Sequence, residues 1–223
     1  AIEAAQNLVR SHADMPTTHD KLGDMLRYGD RHADSIGAYT DALALLPEDF
    51  TGRWLVLYKR AIAYHLIDDW PPAEADFRAA LALNPGQPLV LNYLGYSLVE
   101  RDEKLQEALD MIERAAAAAP ENGAIIDSLG WVLFQLGRYD EAVGYMEQAA
   151  SLEAVDPIVN DHLGDVYWAV GRKIEATFQW NRALSFDPEE ELAERIRKKL
   201  SIGLDAVLEE EGADPLSLAN DDG

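Results

Sequence analysis

An all-α repeat protein is the fold class this sequence predicts, and three regularities predict it. Small residues recur at Gly23, Ala61, Gly95, Gly130 and Gly164, spaced by 38, 34, 35 and 34. Two further sets keep the same register, Ser35, Ala73, Ala108, Ala142 and Ala176, then Ala42, Ala80, Ala115, Ala149 and Ala183. Prolines close or open the units at Pro47, Pro85, Pro120, Pro157 and Pro188. A fixed period near 34 residues is the mark of stacked supersecondary units, so it is read before anything local.

Each element of the pattern has a physical reason. Two antiparallel helices approach closely only where both present small side chains, and Gly130 with Ala142 offers such a pair. Larger residues such as Leu129, Leu133, Tyr139 and Met146 fill the space around it. Proline lacks an amide proton and disfavours helix in the residue before it, which ends a run. Gly137 and Gly171 fall where a tight turn between two helices is needed.

The segments LGDMLRYGDRHADS (22–35), RAIAYHLIDDWPPA (60–73), LGYSLVERDEKLQEA (94–108), LGWVLFQLGRYDEA (129–142) and LGDVYWAVGRKIEA (163–176) carry this pattern. They resemble the tetratricopeptide repeat (TPR), a 34-residue helix–turn–helix. Five units fit, over 16–50, 54–87, 88–122, 123–156 and 157–190. The resemblance implies a right-handed α-solenoid. Residues 1–15 read as a helix left from a truncated preceding repeat. Residues 189–211 read as a capping helix over the open hydrophobic end, with a kink expected at Gly203. Residues 212–223 read as a flexible acidic tail.

Composition narrows the function. The net charge is −22, and residues 205–223 hold seven carboxylates with no Lys or Arg. Phosphate backbones and anionic lipid surfaces repel such a chain, so the expectation is no nucleic-acid partner and no direct membrane insertion. No apolar run reaches the length that crosses a bilayer. Cysteine is absent, which removes disulfides and thiolate chemistry. The five histidines form no metal-ligand pair, and no phosphate loop or nucleophile elbow occurs. The expectation is a non-catalytic protein without metal or cofactor. The chain starts with Ala1 rather than Met, which points to a processed product or an excised fragment.

In the family resembled, the first helix of each repeat lines a concave groove. Its usual contact positions are two, five, nine, twelve and thirteen, counting the small residue as eighth. Carried onto this chain, they give candidate groove residues Asp20, Asp24, Tyr28, Tyr58, His65, Asn92, Tyr96, Glu100, Asp127, Trp131, Phe134, Asp161, Asp165 and Trp168. Carboxylates among them favour Lys or Arg on a ligand. Aromatics give large contact area at low entropy cost. A basic, apolar peptide segment is the expected partner. The residues after the small position are Asp24, Ile62, Tyr96, Trp131 and Asp165, so the asparagine clamp of heat-shock co-chaperones is missing.

Residues 90–190 also look like the C-terminal arrays of Gram-negative bacterial repeat proteins. That likeness implies a periplasmic or envelope-associated location rather than a cytoplasmic one. The reading is thus an adaptor or scaffold. Its alternatives are end-to-end self-assembly through the solenoid ends, or a non-catalytic domain of a larger enzyme.

Overall fold

The computed structural model describes residues 1–213 and Leu216. Thirteen α-helices and no strand occur among the described residues. They fall into two compact bodies, divided between Leu94 and Gly95. The first body holds α1 (Ile2–Ser11), α2 (Pro16–Arg27), α3 (His32–Leu45), α4 (Arg53–His65) and α5 (Trp70–Leu83). α6 (Pro88–Glu100) runs through the boundary. The second body holds α7 (Leu105–Ala118), α8 (Gly123–Gln135), α9 (Tyr139–Leu152), α10 (Pro157–Ala169), α11 (Lys173–Leu184), α12 (Glu190–Ile202) and α13 (Leu204–Glu211). Within each body, consecutive helices pack as antiparallel neighbours, α2 on α3, α4 on α5, α8 on α9 and α10 on α11.

The turn inside each pair is the same device five times. Its fifteenth position has left-handed backbone: Asp30, Asp68 and Asp102 at φ 57°, 58° and 51°, Gly137 and Gly171 at 72° and 79°. The next amide then bonds back five residues, as Arg31 N to Leu26 O and Arg138 N to Leu133 O, both 2.9 Å. That is a Schellman closure, which satisfies carbonyls left open at the helix end. Aspartate tolerates the left-handed region better than most residues, so it replaces glycine there. Helix starts are set by Pro16, Pro88 and Pro157, and by side-chain caps. Asn122 accepts from Ile125 N at 3.2 Å, and Asp156 from Ile158 N and Val159 N at 2.8 and 3.0 Å.

The close approach of paired helices differs in detail from the sequence expectation. The atoms nearest to a Cβ built on Gly130 belong to Met146, not to Ala142. A Cβ built on Gly164 would lie 2.4 Å from the indole of Trp180. The eighth position therefore makes room for a large side chain at the twenty-fourth. Those residues, Tyr39, Phe77, Ile112, Met146 and Trp180, are fully buried.

Residues 189–211 form two helices rather than one. Gly203 separates α12 from α13 at φ 87°. A Cβ there would lie 2.7 Å from the ring of Trp168, so both conformation and space require glycine. The tail expected over 212–223 lies outside the described residues, apart from Gly212, Ala213 and Leu216.

Two glycine substitutions test this packing. Gly164→Ala forces Trp180 to move and should cost about 1–3 kcal/mol. Gly144→Ala, on α9 where nothing lies within 4 Å, should gain up to about 1 kcal/mol from helix propensity. Thermal unfolding followed by circular dichroism should show opposite signs.

Candidate functional site

The first helices meet one another through buried charge. In the first body, Lys59 Nζ donates to both oxygens of Asp20 at 2.8 and 3.0 Å and to Asp24 at 2.9 Å. The hydroxyl of Tyr39 donates to the same Asp24 at 2.8 Å. The second body repeats the arrangement at its far end. Lys199 Nζ, on α12, donates to both oxygens of Asp161 at 2.9 and 2.8 Å. It reaches both oxygens of Asp165 at 2.7 Å. Trp180 Nε1 donates to Asp165 at 2.9 Å, in the role of Tyr39. Lys199, Asp161 and Asp165 are 1%, 2% and 1% exposed. Burial raises the Asp161 carboxyl above its ordinary value, and Asp165 adds to this, while Lys199 opposes it.

Between these ends, His162 does the same work for Asp127. Its Nδ1 lies 3.1 Å from both carboxylate oxygens. An ionised carboxylate only accepts, so Nδ1 carries the proton. Burial alone lowers the imidazole pKa, but Asp127, Asp161 and Asp165 together lift it above 6.5. The charged ring then lies on Trp131, with centroids 4.1 Å apart and planes 13° from parallel. Phe134 also stacks on Trp131, at 4.9 Å and 9°. The indole edge remains, and Nε1 donates it to Glu100 at 3.3 Å.

In the first body the aromatics form a cluster of their own. Tyr58 meets Tyr93 edge-on at 6.0 Å and Phe77 at 6.1 Å. His65 lies against Tyr93 and Trp70 at 5.5 and 6.0 Å. Burial, then the Tyr58 hydroxyl, push the Tyr93 phenol up to about 12.

A cavity of about 880 Å³ opens in the second body. Its lining includes Tyr96, Glu100, Trp131 and Phe134 from α6 and α8, and Asp161, His162 and Asp165 from α10. Leu192 and Arg195 of α12 and Leu208 and Glu211 of α13 also line it. Arg195 and Glu211 are paired at 2.9 and 3.0 Å, and Lys198 pairs with Glu210. Trp168 Nε1 donates to Asp205 at 2.8 Å. These bonds fasten α13 beside the cavity.

The fourteen expected groove residues therefore differ in access. Asp127, Trp131, Phe134, Asp161 and Asp165 are buried. Asp20, Asp24, Tyr58, His65, Asn92, Tyr96 and Trp168 are half-buried, while Tyr28 and Glu100 are exposed. Tyr96, Glu100, Trp131, Phe134, Asp161 and Asp165 share the cavity. Four cationic partners of these carboxylates, Lys59, His162, Arg195 and Lys199, were not among the expected residues. Three of them had a signal: a cation stands 38, 35 or 39 residues after Asp161, Asp127 and Asp20.

Two family models, both described as tetratricopeptide repeat, match residues 58–123 and 123–152. The TPR repeat-containing protein PA4667 of Pseudomonas aeruginosa is 31% identical over 140 residues. That match takes in 61% of this chain and 23% of the relative, so the chain spans about a quarter of the relative's length. Among solved structures, PilF of Pseudomonas aeruginosa superposes with a TM-score of 0.70 at 18% identity, covering 88% of this chain and 86% of that one. The Cut9–Hcn1 complex of the APC/C gives 0.75 at 20%, covering 89% and 38%. YrrB, described as a TPR protein with an unusual peptide-binding site, gives 0.64 at 18%, covering 89% and 100%. At these identities the structural likeness is one of fold.

Two measurements probe the buried charges. His162 should titrate above 6.5 by NMR, and Asp127→Asn should lower its pKa. The folded value exceeds the free one, so the pair's stabilisation is complete below about pH 6.5 and fades as pH rises through the folded value. Asp127→Asn should therefore cost more at pH 6 than at pH 9. Lys199→Met leaves two buried carboxylates uncompensated and should cost roughly 3–5 kcal/mol in urea unfolding.

Proposed function

Because this chain belongs to the tetratricopeptide-repeat family, we propose that it is a non-catalytic adaptor that holds a basic, apolar peptide segment. Proteins of this family bind protein or peptide partners. The observation that carries the finer reading is the cavity of the second body. Five carboxylates line it, Glu100, Asp102, Asp161, Asp165 and Glu211, against Arg195 and the His162 imidazole. Its walls add Tyr96, Phe134 and Leu208. Such a site attracts a cationic side chain and gives its apolar stem surface to cover.

The buried and exposed carboxylates have different parts in this. Asp161 and Asp165 are held by Lys199 and act through their field. Glu100 is exposed, held by the Trp131 indole and the Tyr96 hydroxyl, and it is the group that meets a ligand cation directly. Burial together with Glu100 and Asp127 keeps the Tyr96 phenol protonated. A protonated phenol donates a hydrogen bond, and here it goes to Glu100 and steadies that carboxylate.

Fluorescence anisotropy with short labelled peptides tests this. A lysine–leucine peptide should bind, and a glutamate–leucine peptide should not. Binding should weaken as salt rises. Glu100→Lys should weaken it by about tenfold while the circular dichroism spectrum is unchanged. Equal binding of both peptides, or no effect of Glu100→Lys, would reject the reading.

A further inference from the structure

α13 ends in a turn that sends the chain back toward the cavity of the second body. Gly212 follows Glu211 with left-handed backbone, at φ 76° and ψ 16°. Its amide bonds to Glu209 O at 3.2 Å, and the Ala213 amide bonds to Leu208 O at 2.9 Å. In such a closure the residues at its two ends, here Leu208 and Ala213, lie close together. Both line the cavity. Leu216, three residues further on, lines it as well and is half-buried. The chain therefore stays at the site after α13 has ended, and Leu216 shares the lining with Tyr96, Glu100 and Phe134.

The helix before this turn is tied down. Glu211 is paired with Arg195, and Asp205 accepts from the Trp168 indole. Charge then decides when the segment beyond the turn closes. Residues 212–223 hold Asp214, Asp221 and Asp222 and no Lys or Arg. The cavity is lined by Glu100, Asp102, Asp161, Asp165 and Glu211, against Arg195 and the His162 imidazole. Without a cationic guest, like charges oppose the approach of the segment, and the apolar contact of Leu216 favours it. A cationic side chain in the cavity reverses the sign of the first effect. An acidic guest adds to the repulsion.

We propose, on the reading that the cavity takes a basic, apolar peptide segment, that Leu216 is a ligand-contact residue and that the chain after Gly212 closes on such a guest. Leu216 packs on the guest's apolar side chain. The aspartates of the same segment strengthen the field that holds its cation. Selection against acidic segments follows from the same charges. Part of the binding site thus lies beyond α13, joined to the fold by the turn at Gly212.

Anisotropy with the labelled lysine–leucine peptide tests this in the full chain, with circular dichroism as the check on folding. Leu216→Ser should weaken binding by about tenfold, because it removes most of one leucine's apolar contact. The triple change Asp214→Asn, Asp221→Asn and Asp222→Asn should weaken it by about threefold at low salt, and the difference should vanish at high salt. Unchanged affinity of Leu216→Ser overturns the proposal. Tighter binding also overturns it, because the segment would then compete with the peptide. Equal or tighter binding by the triple variant at low salt overturns closure by charge. In each of these cases a peptide that Glu100→Lys still weakens leaves the adaptor reading standing. A peptide that binds neither the unchanged chain nor any variant removes both readings together.

Discussion

A carboxylate buried beneath a helix must be given a cation, and much of the second body is arranged around that need. Asp161 and Asp165 stand one turn apart on α10, both almost wholly buried. Two like charges this close, out of water, would protonate or keep the helices apart. Lys199 removes the difficulty with four short hydrogen bonds, and Trp180 adds a fifth. To place that ammonium, α12 must lie where the first helix of another repeat would lie. Arg195, near the middle of α12, then reaches Glu211 and comes within 3.7 Å of Asp165. In this way one buried lysine fixes α12, α12 fixes α13, and α13 completes the cavity wall.

The same constraint decides what the cavity offers a ligand. Asp161 and Asp165 are bonded to Lys199 and almost wholly buried, so a guest has little access to them. They still contribute negative potential, which is strong where water is excluded. The direct contacts fall to groups at the rim. Trp131 illustrates the division. Its ring is stacked with Phe134 and with the His162 imidazole and is almost wholly buried, so the indole stiffens the wall rather than receiving a side chain. A wall whose rotamers are locked loses little entropy on binding, which favours a ligand that fits it.

The repeat was legible because spacing is a property of one strand of sequence read alone. Small residues, prolines and the glycine turns lie in order along the chain, and each has a local cause. The aspartates at the turn were harder to see, since Asp30, Asp68 and Asp102 do by tolerance what Gly137 and Gly171 do by freedom. The site was legible only as a set of positions. Its chemistry depends on register between neighbouring repeats, where position five of one meets position six of the next. Asp20, Asp127 and Asp161 read as surface acids until Lys59, His162 and Lys199 are set beside them. Gly203 had a visible signal, because glycine within a helical pattern invites a break. The reason the break is obligatory, the Trp168 ring against its Cα, lies 35 residues away in sequence.

The three junctions answer one electrostatic need with different chemistry, and their environments separate their behaviour. Lys59 keeps 17% of its side chain exposed, and its partners 24% and 22%, so dissolved ions can screen that contact. Lys199 has none exposed, so salt has no route to it short of opening the helices. His162 is buried too, yet its charge is conditional on a proton that its aspartate neighbours retain. When that proton leaves, Asp127 loses its counter-charge and Trp131 loses the cation on its face together. The junction whose charge depends on a proton is thus stacked on Trp131, and its titration reaches that part of the cavity lining through a single ring contact.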